Sequence, residues 1–202
     1  MRKNPEIKDL KESDLSDIAA IHVSSFHYSA FTAMGEKVVR RYYKWLLMGP
    51  HEVAAKGVFL NNKLAGFCFG GIFYGATSGF LRKNQLYLAF TVLFQPWLVF
   101  NSIIRTRILQ GLCILKRYAK PKSQDQIKGK KIKKEYTILS IAVNPKSQTK
   151  GIGRMLMEDS EKIAVKGGFK KMKLTVSPQN INAVKFYEGL KWCKIANNDD
   201  KW

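Results

Sequence analysis

One short run of this chain has the residue types and spacing that suit the binding of a phosphate group. Gln148–Gly153 follows an apolar, β-branched stretch, Tyr136–Val143, and leads directly into a helical pattern. Two glycines one residue apart allow a sharp turn and a close approach of the backbone to a ligand. The N–H groups of a helix's first turn lack intrahelical acceptors and attract anions, and Lys150 and Arg154 add positive charge. The spacing therefore predicts a strand, a phosphate loop and a helix.

Two familiar nucleotide-binding loops do not fit this spacing. A P-loop needs a Gly-Lys-Ser/Thr after its first glycine and four further residues, and the chain has none here. A dinucleotide fingerprint needs a third glycine, whereas position 156 is Leu156. A glycine-rich turn with no ligand is the remaining simple alternative.

A second segment downstream supports a ligand site. After a predicted strand, Lys171–Ser177, the chain reads Asn-x-x-Ala-x-x-x-Tyr from Asn180 to Tyr187. This segment and the Gln-x-x-Gly-x-Gly run after a strand ending in Val-x-Pro resemble, in the correct order, the two cofactor motifs of the GNAT superfamily of N-acetyltransferases. The resemblance is specific over residues 136–193 and rests only on element order over residues 7–73.

The resemblance implies an α/β (α+β) fold, with a mixed, mostly antiparallel central sheet flanked by helices, and acetyl-CoA as cosubstrate. Strand Tyr136–Val143 would diverge from Lys171–Ser177, and the pantetheine arm would lie in the gap, paired with main-chain groups. The cofactor-binding residues that it implies are Ile141, Ala142, Val143, Gln148, Thr149, Lys150, Gly151, Ile152, Gly153, Arg154 and Asn180.

The resemblance also implies catalytic roles. Tyr187 would lie at the sulfur as the general acid, with a buried core tyrosine as the alternative. Related sequences often carry a Glu at the position of Thr137, and here Glu135 stands two residues earlier, on the same strand face. Glu135 is the candidate base, acting through water, or else a solvated acid. Lys191 replaces a usual glycine, and the last hairpin is short.

Composition limits the remaining classes. The 202 residues suffice for one domain, 1–202, and the net charge of +20 attracts polyanions. Cys68, Cys113 and Cys193 lack disulfide or metal-ligand spacing, so we predict no metal. The start of the chain has no apolar signal region, which predicts a cytoplasmic protein. The three histidines, His22, His27 and His51, are interpreted as surface or helix-end residues.

Local patterns predict the other elements. The expected strands are Ile7–Leu10 and a hairpin of Lys56–Leu60 and Leu64–Phe73, whose glycines suggest a bulge or close backbone approach. The expected helices are Leu15–Phe26, Glu36–Met48 and Arg154–Lys166, the last ending at Gly167-Gly168. Gly75–Gly79 is predicted to be a loop.

Residues 74–135 are predicted to be an apolar and basic helical insertion before the cofactor-binding strand. Its uncharged run, Asn84–Ile104, approaches the ~20 residues that span a bilayer, but Pro96 favours two short helices. Residues 80–134 carry thirteen Lys or Arg against one acid, Asp125. Three roles stay open: a lid over the acceptor site, peripheral contact with a membrane through 80–134 at the inner membrane surface, and a homodimer contact. Nucleic acid is disfavoured, since no reading module is present.

These patterns lead to two functional hypotheses of different classes. The first is an N-acetyltransferase that moves an acetyl group from acetyl-CoA to a primary amine of a small-molecule acceptor, with an amino sugar or its nucleotide- or lipid-linked form as an option. The alternative is a non-catalytic acyl-CoA-binding module that docks to a membrane or protein partner. The missing Glu at Thr137 favours the second slightly, and Tyr187 argues against it.

Overall fold

The structure is a computed structural model that describes residues 4–95, Leu98, Arg105 and 135–195. Helices and strands are mixed along these residues, and most bounds lie close to those predicted. The strands are β1 (Glu6–Asp9), β2 (Glu52–Leu60), β3 (Lys63–Ile72), β4 (Tyr136–Val143) and β5 (Met172–Leu174). The helices are α1 (Leu15–Ser25), α2 (Ala30–Ala33), α3 (Glu36–Met48), α4 (Ala76–Lys83), α5 (Gln85–Phe94), α6 (Ile152–Lys166) and α7 (Ile181–Gly189).

The strands form one sheet in the order β1-β2-β3-β4-β5. Neighbouring strands are antiparallel except for β4 and β5, which are parallel. This confirms the predicted mixed, mostly antiparallel sheet with flanking helices. The predicted strand Tyr136–Val143 is confirmed at both ends, whereas Lys171–Ser177 is wrong in length because only Met172–Leu174 is a strand.

The two faces of the sheet bury two separate hydrophobic clusters. Helices α1 and α3 cover the first, which includes the fully buried Tyr43, Phe67 and Phe69. Helix α6 covers the second, which includes Leu156 and Met157, and side chains of α7 pack against it. The edge where β4 meets β5 therefore lies between helices of both layers.

Glycines in β3 let other elements approach the sheet closely, as the sequence predicted. A Cβ on Gly66 would lie 2.9 Å from Cγ2 of Ile152, so the start of α6 sits directly on β3. A Cβ on Gly70 would lie 2.5 Å from the hydroxyl oxygen of Tyr136. Because any side chain here would displace a buried neighbour, these glycines serve packing of β3 rather than flexibility.

Residues Gly75–Gly79, predicted to be a loop, instead begin helix α4. Gly75 adopts a left-handed conformation (φ +62°) immediately before the first turn of the helix. The indole Nε1 of Trp45 donates a hydrogen bond of 2.9 Å to the carbonyl of Ala76, and Gly79 leaves room for the indole ring. Packing against α3 thus overrides the loop signal of two nearby glycines.

The predicted insertion begins with α4 and α5, and α5 ends at Phe94, before Pro96. This agrees with a proline that stops the first of two short helices. The further course of the insertion, including the basic run 116–134 and Cys113, lies outside the described residues. Within the described part, no helix has the length and apolar character needed to cross a membrane.

Candidate functional site

Strands β4 and β5 form a gap at the centre of the candidate site. They pair only from Tyr136 with Met172 to Ile138 with Leu174. Strand β5 ends there, while β4 continues to Val143. In the described part of the chain, the last five residues of β4 therefore have no strand on their β5 side, as the divergence implied by the resemblance requires.

The ladder between β3 and β4 shows which main-chain groups face this gap. The N–H of Asn144 donates to the carbonyl of Ala65 at 2.8 Å, and antiparallel pairs alternate between bonded and non-bonded positions. Ile141 and Val143 consequently point their N–H and C=O groups away from β3. The hydroxyl of Ser25 donates to the carbonyl of Val143 at 3.3 Å, on this outer side. The gap thus presents main-chain donors and acceptors at two of the predicted cofactor residues.

Ala142 differs from its two neighbours. Its main-chain groups pair with β3, and its side chain is buried in the first hydrophobic cluster. The structure therefore does not bring Ala142 to the gap, and its contribution is to anchor the strand between Ile141 and Val143.

The predicted phosphate loop follows directly at the end of β4. The side-chain oxygen of Asn144 accepts a hydrogen bond of 3.0 Å from the N–H of Lys146, which starts a 3-10 turn, Pro145–Ser147. Thr149 (φ +65°) and Gly151 (φ +75°) then adopt left-handed conformations, and α6 begins at Ile152. The residues from Gln148 to Gly151 are exposed, so the loop presents its backbone to solvent next to the positive end of a helix.

Of the first residues of α6, Ile152 and Gly153 pack against other elements, whereas Arg154 is exposed. Ile152 is buried, so only its main chain faces the loop. A Cβ on Gly153 would lie 3.2 Å from the ring of Phe186, which shows that this glycine lets α6 approach α7 closely. The Arg154 side chain is exposed, with its guanidinium 4.0 Å from Glu158, and Lys150 is exposed on the loop itself.

The second motif is placed on the same side of the sheet. The side-chain oxygen of Asn180 accepts a hydrogen bond of 3.2 Å from the N–H of Ala183 and so caps the start of α7. Tyr187 is half-buried, with ring centroids 5.3 Å from Phe186 and 6.2 Å from Trp192. Burial raises the pKa of Tyr187 to about 12, so its hydroxyl keeps its proton at neutral pH. A protonated hydroxyl is what a general acid requires.

Glu135, the predicted base, lies away from the gap. Its carboxylate accepts a hydrogen bond of 2.6 Å from Nζ of Lys173, across the paired part of β4 and β5. The gap opens at Leu139, four residues further along, which corresponds to about 13 Å of extended strand. The structure therefore does not bring Glu135 to the gap.

A buried polar chain at the gap was missed by the sequence interpretation. Ser140 pairs with Phe69 and Ile138 pairs with Gly70, so Leu139 is an extra residue that forms a β-bulge. The Ser140 hydroxyl lies 2.7 Å from the hydroxyl of Tyr43, which lies 2.8 Å from Nδ1 of His22. A serine inside the apolar run of β4 was the only local signal.

His22 lies in the last turn of α1, which confirms the helix-end interpretation, but it is buried rather than a surface residue. Its side chain is 6% exposed and lies among α1, α3 and the turn before α2. Burial lowers its pKa to about 4, so the imidazole is neutral at neutral pH. In contrast, no group of three or more His, Cys, Asp or Glu among residues 4–95 and 135–195 is arranged to hold a metal ion.

Comparison with known families identifies the motifs. A model of the acetyltransferase (GNAT) family matches residues 112–192, which include β4, the loop, α6, β5 and α7. No curated protein sequence matches the chain significantly.

Solved structures with the same fold cover almost the whole chain. They include a possible acetyltransferase of Clostridium difficile 630 (16% identity, 99% of this chain and 97% of that chain, TM-score 0.60). The aminoglycoside N-acetyltransferase AAC(6')-Iy with CoA is also similar (11% identity, 98% and 94%, TM-score 0.58). So is the PaiA N-acetyltransferase of Thermoplasma acidophilum with coenzyme A (15% identity, 98% and 94%, TM-score 0.54). At these identities the solved structures establish the fold alone, and the acetyltransferase (GNAT) family model covers the part of the chain that holds both motifs, residues 112–192.

Proposed function

We propose that this acetyltransferase moves the acetyl group of acetyl-CoA to a primary amine of a small, phosphate-bearing acceptor. The match of residues 112–192 to the GNAT family model supports acetyl-CoA-dependent N-acetylation, and the choice of acceptor is the step that we add. The observation that carries the proposal is the gap between β4 and β5, where Ile141 and Val143 present main-chain groups beside the exposed phosphate loop. This arrangement favours an enzyme over a passive acyl-CoA-binding module because Tyr187 supplies a proton donor on the same side.

Each part of the cofactor has a matching partner in this site. The amide groups of the pantetheine arm would pair with Ile141 and Val143 as an added strand does. The pyrophosphate would accept hydrogen bonds from N–H groups between Gln148 and Arg154, at the start of α6. The acceptor amine would attack the thioester carbonyl directly, so catalysis needs orientation, a neutral amine and a proton for the departing thiolate. Tyr187 would give that proton.

The charge of the protein bears on the acceptor. At +20, the chain repels polycationic amines and attracts amines that carry phosphate. An amino sugar in a nucleotide-linked or lipid-linked form combines a primary amine with such a phosphate. The aminoglycoside named for one structural neighbour is polycationic, and a similar fold does not transfer that acceptor to this chain.

A panel of acceptors tests the proposal. Thiol release from acetyl-CoA is measured with a free amino sugar, its nucleotide-linked form, an aminoglycoside, a polyamine and a lysine peptide. We expect the largest kcat/KM for the nucleotide-linked form, with a steep loss on addition of salt. A preference for the polyamine or the peptide would contradict the phosphate-bearing acceptor, and acetyl-CoA binding without turnover on any amine would favour the binding module.

A tyrosine pair tests the catalytic part separately. Tyr187→Phe should lower kcat by about 100-fold, because a general acid contributes at least that much, and should leave the Kd for acetyl-CoA unchanged. Tyr28→Phe, at a side chain that is 88% exposed, is the matched control and should behave as the parent protein. Equal turnover in Tyr187→Phe and the parent would show that another group protonates the thiolate.

Helix α5 supports the proposed contact with an anionic membrane. Its large apolar side chains Leu86, Phe90, Leu93 and Phe94 are exposed and lie along one face, and the rings of Phe90 and Phe94 stack with centroids 6.4 Å apart. The four side chains form a continuous apolar patch, whereas the apolar residues on an ordinary protein surface are scattered. A bilayer would bury this face. A second copy of the chain is the weaker occupant, because two chains of +20 repel each other.

A basic pocket lies next to this face. It has a volume of about 330 Å³ and is lined by Arg41, Lys44 and Lys83 around Trp45. The Arg41 Nε donates 2.6 Å to Asn84, and its guanidinium stacks 4.4 Å from the Tyr87 ring centre, so the cation is held in place beside the first turn of α5. These cations suit the phosphates of anionic lipids. We therefore propose that the protein lies in the cytoplasm at the inner membrane surface.

Vesicle flotation tests the membrane contact. The parent protein should float with vesicles containing phosphatidylglycerol and much less with neutral phosphatidylcholine vesicles. Phe90→Glu should abolish flotation, whereas Gln85→Glu, which adds the same charge to α5 outside the apolar face, should retain most of it. Equal flotation of both variants would contradict the proposal, and a dimer in light scattering that Phe90→Glu dissociates would assign the face to a second copy.

A further inference from the structure

A chain of four polar side chains leads from the edge of the cofactor gap to the turn before α2. The hydroxyls of Ser140 and Tyr43 are 2.7 Å apart, the Tyr43 hydroxyl lies 2.8 Å from Nδ1 of His22, and Nε2 of His22 lies 3.3 Å from the hydroxyl of Ser29. We call these residues the Ser140 chain. Every link is within hydrogen-bond distance, so the four groups form a continuous path.

The middle of this path is buried, and its two ends are not. Tyr43 has no solvent exposure and His22 has 6%. Ser140 and Ser29 are half-buried, Ser140 beside the gap and Ser29 next to the exposed residues His27 and Tyr28. A path that is shielded in its middle and open at both ends can move a proton between the gap and solvent without admitting water between them.

The bulge at Leu139 sets the position of Ser140. Leu139 and Ser140 both face the first hydrophobic cluster, whereas Ile138 and Ile141 pack in the second. With regular alternation, Ser140 would share the face of Ile138 and could not reach Tyr43. The same extra residue lies where β4 loses its β5 partner, so Ser140 sits at the point where the gap opens.

The partners of His22 allow one direction of proton movement. The pKa of the imidazole is lowered by burial, so the ring is neutral and one nitrogen carries the proton. With that proton on Nε2, His22 donates to Ser29, accepts from Tyr43 at Nδ1, and Tyr43 in turn accepts from Ser140. The Ser140 oxygen then has a lone pair for a donor in the gap.

We propose that the Ser140 chain removes the proton from the acceptor amine, in place of a carboxylate base on β4. This inference rests on the proposed acetyl transfer. The amine N–H bond breaks toward the Ser140 oxygen as the Ser140 proton moves to Tyr43, the Tyr43 proton moves to Nδ1 of His22, and the Nε2 proton leaves through Ser29 to water. The Ser140 chain holds the same number of protons before and after the step, His22 ends with its proton on Nδ1 instead of Nε2, and water receives the proton that the amine loses. The neutral amine forms the bond to the acetyl carbon.

The surroundings of the chain favour such a neutral relay. The titratable groups whose charge would act on Tyr43 are Tyr42 on α3 and Cys68 on β3, which packs in the second hydrophobic cluster, and burial raises the pKa of both. Both are therefore uncharged at neutral pH. An ionised base would be costly here, because its charge would lack a partner, whereas a concerted shift along hydroxyls creates no lasting charge.

Glu135 is the competing base, and its position argues against it. Its carboxylate is in an ion pair with Lys173, where β4 and β5 are still joined. Ser140, by contrast, is adjacent to Ile141, whose main-chain groups face the gap.

Here Ser140 is the catalytic residue, and Tyr43 and His22 are positioning residues. The test therefore compares Ser140→Ala and Tyr43→Phe with Tyr42→Phe, which removes a hydroxyl from the adjacent buried residue outside the chain. The assay is kcat/KM for the acceptor identified by the panel, measured across pH, together with the Kd for acetyl-CoA and the midpoint of urea unfolding for every variant.

We expect Ser140→Ala and Tyr43→Phe to lose about 100-fold in kcat/KM at neutral pH, the typical size of a proton-transfer contribution. The loss should shrink as the pH rises, because more of the amine then arrives without its extra proton. A merely structural defect would lower the rate equally at every pH. Tyr42→Phe should keep the parent profile, and acetyl-CoA affinity should be unchanged in all three.

Three results would overturn the inference. The first is an active parent protein with Tyr43→Phe equally active, which refutes the chain and leaves the proposed function intact. The second is a larger, pH-dependent loss of kcat/KM in Glu135→Gln than in Ser140→Ala, which would show that Glu135 is the base. The third is a parent protein inactive on every amine, which removes the proposed function and this inference with it.

Discussion

Lowering the pH from about 7 to about 5 should destabilise the fold through one buried side chain, His22. Its ring is 6% exposed, with its two nitrogens next to the hydroxyls of Tyr43 and Ser29. Burial lowers its pKa from 6.5 to about 4. The unfolded chain therefore binds a proton on this residue at a pH where the folded protein does not. As the pH falls through this window, protonation favours the unfolded state.

The size of the effect follows from the two pKa values. The contribution of His22 is fully present above its unfolded pKa of 6.5 and is lost progressively as the pH falls toward about 4. Between pH 7 and pH 5, proton linkage gives a loss of about 2 kcal/mol in the free energy of unfolding. Small domains have only about 5–15 kcal/mol in total, so the loss is measurable. The window also lies above the usual pKa range of the carboxylates.

Urea unfolding at several pH values measures this loss. The variant His22→Asn has no titrating group in the core, so its stability should change less between pH 7 and pH 5 than that of the parent. His27→Asn, at an exposed histidine of the same region, is the matched control and should follow the parent curve. The imidazole resonances of the folded parent give the pKa of His22 directly. A value above about 6 would refute the argument, since burial without compensation must depress it.

Two glycine substitutions should separate function from packing. Gly151→Ala forces a left-handed conformation (φ +75°) on a residue with a side chain but meets no atom, so backbone strain of about 1 kcal/mol should weaken acetyl-CoA binding about five-fold in calorimetry. Gly189→Ala, which also meets nothing and has no positive φ, is its control. Gly70→Ala places a Cβ 2.5 Å from the hydroxyl of the buried Tyr136, so urea unfolding should show a loss of about 1–3 kcal/mol. Unchanged stability in this last variant would mean that Tyr136 repacks freely.

The elements that the sequence predicted well have strong local signals at both ends. Helix α3 matches its predicted bounds because Gly35 precedes it and Gly49-Pro50 follows it. Strand β4 matches because an apolar run ends at Asn144-Pro145. The sharp turn at Gly151 and the start of α6 were likewise predictable, since glycine spacing and the start of a helix are neighbours in sequence. All of these signals act over a few residues.

The errors share a different property, since each depends on a contact between distant parts of the chain. The alternation of Lys171–Ser177 is real, but a strand also needs a partner, and the chain no longer pairs with β4 after Leu174. The burial of His22 depends on Tyr43, and helix α4 depends on Trp45. None of these partners lies close in sequence, so periodicity alone could not reveal them.

The β-bulge at Leu139 lies between the part of the site that the sequence motifs predict and the part that they do not, which is the contact of Ser140 with Tyr43. The two sequence motifs predict where phosphate and thiol would bind, and both can be found by local spacing. The proton path needs a change of face within β4, which Leu139 supplies by placing Ser140 against Tyr43. A bulge leaves no reliable mark in a single sequence, because the run from Tyr136 to Val143 reads as an uninterrupted strand. The carboxylate nearest to that run is Glu135, whereas the bulge places a serine from the middle of the run, Ser140, against Tyr43.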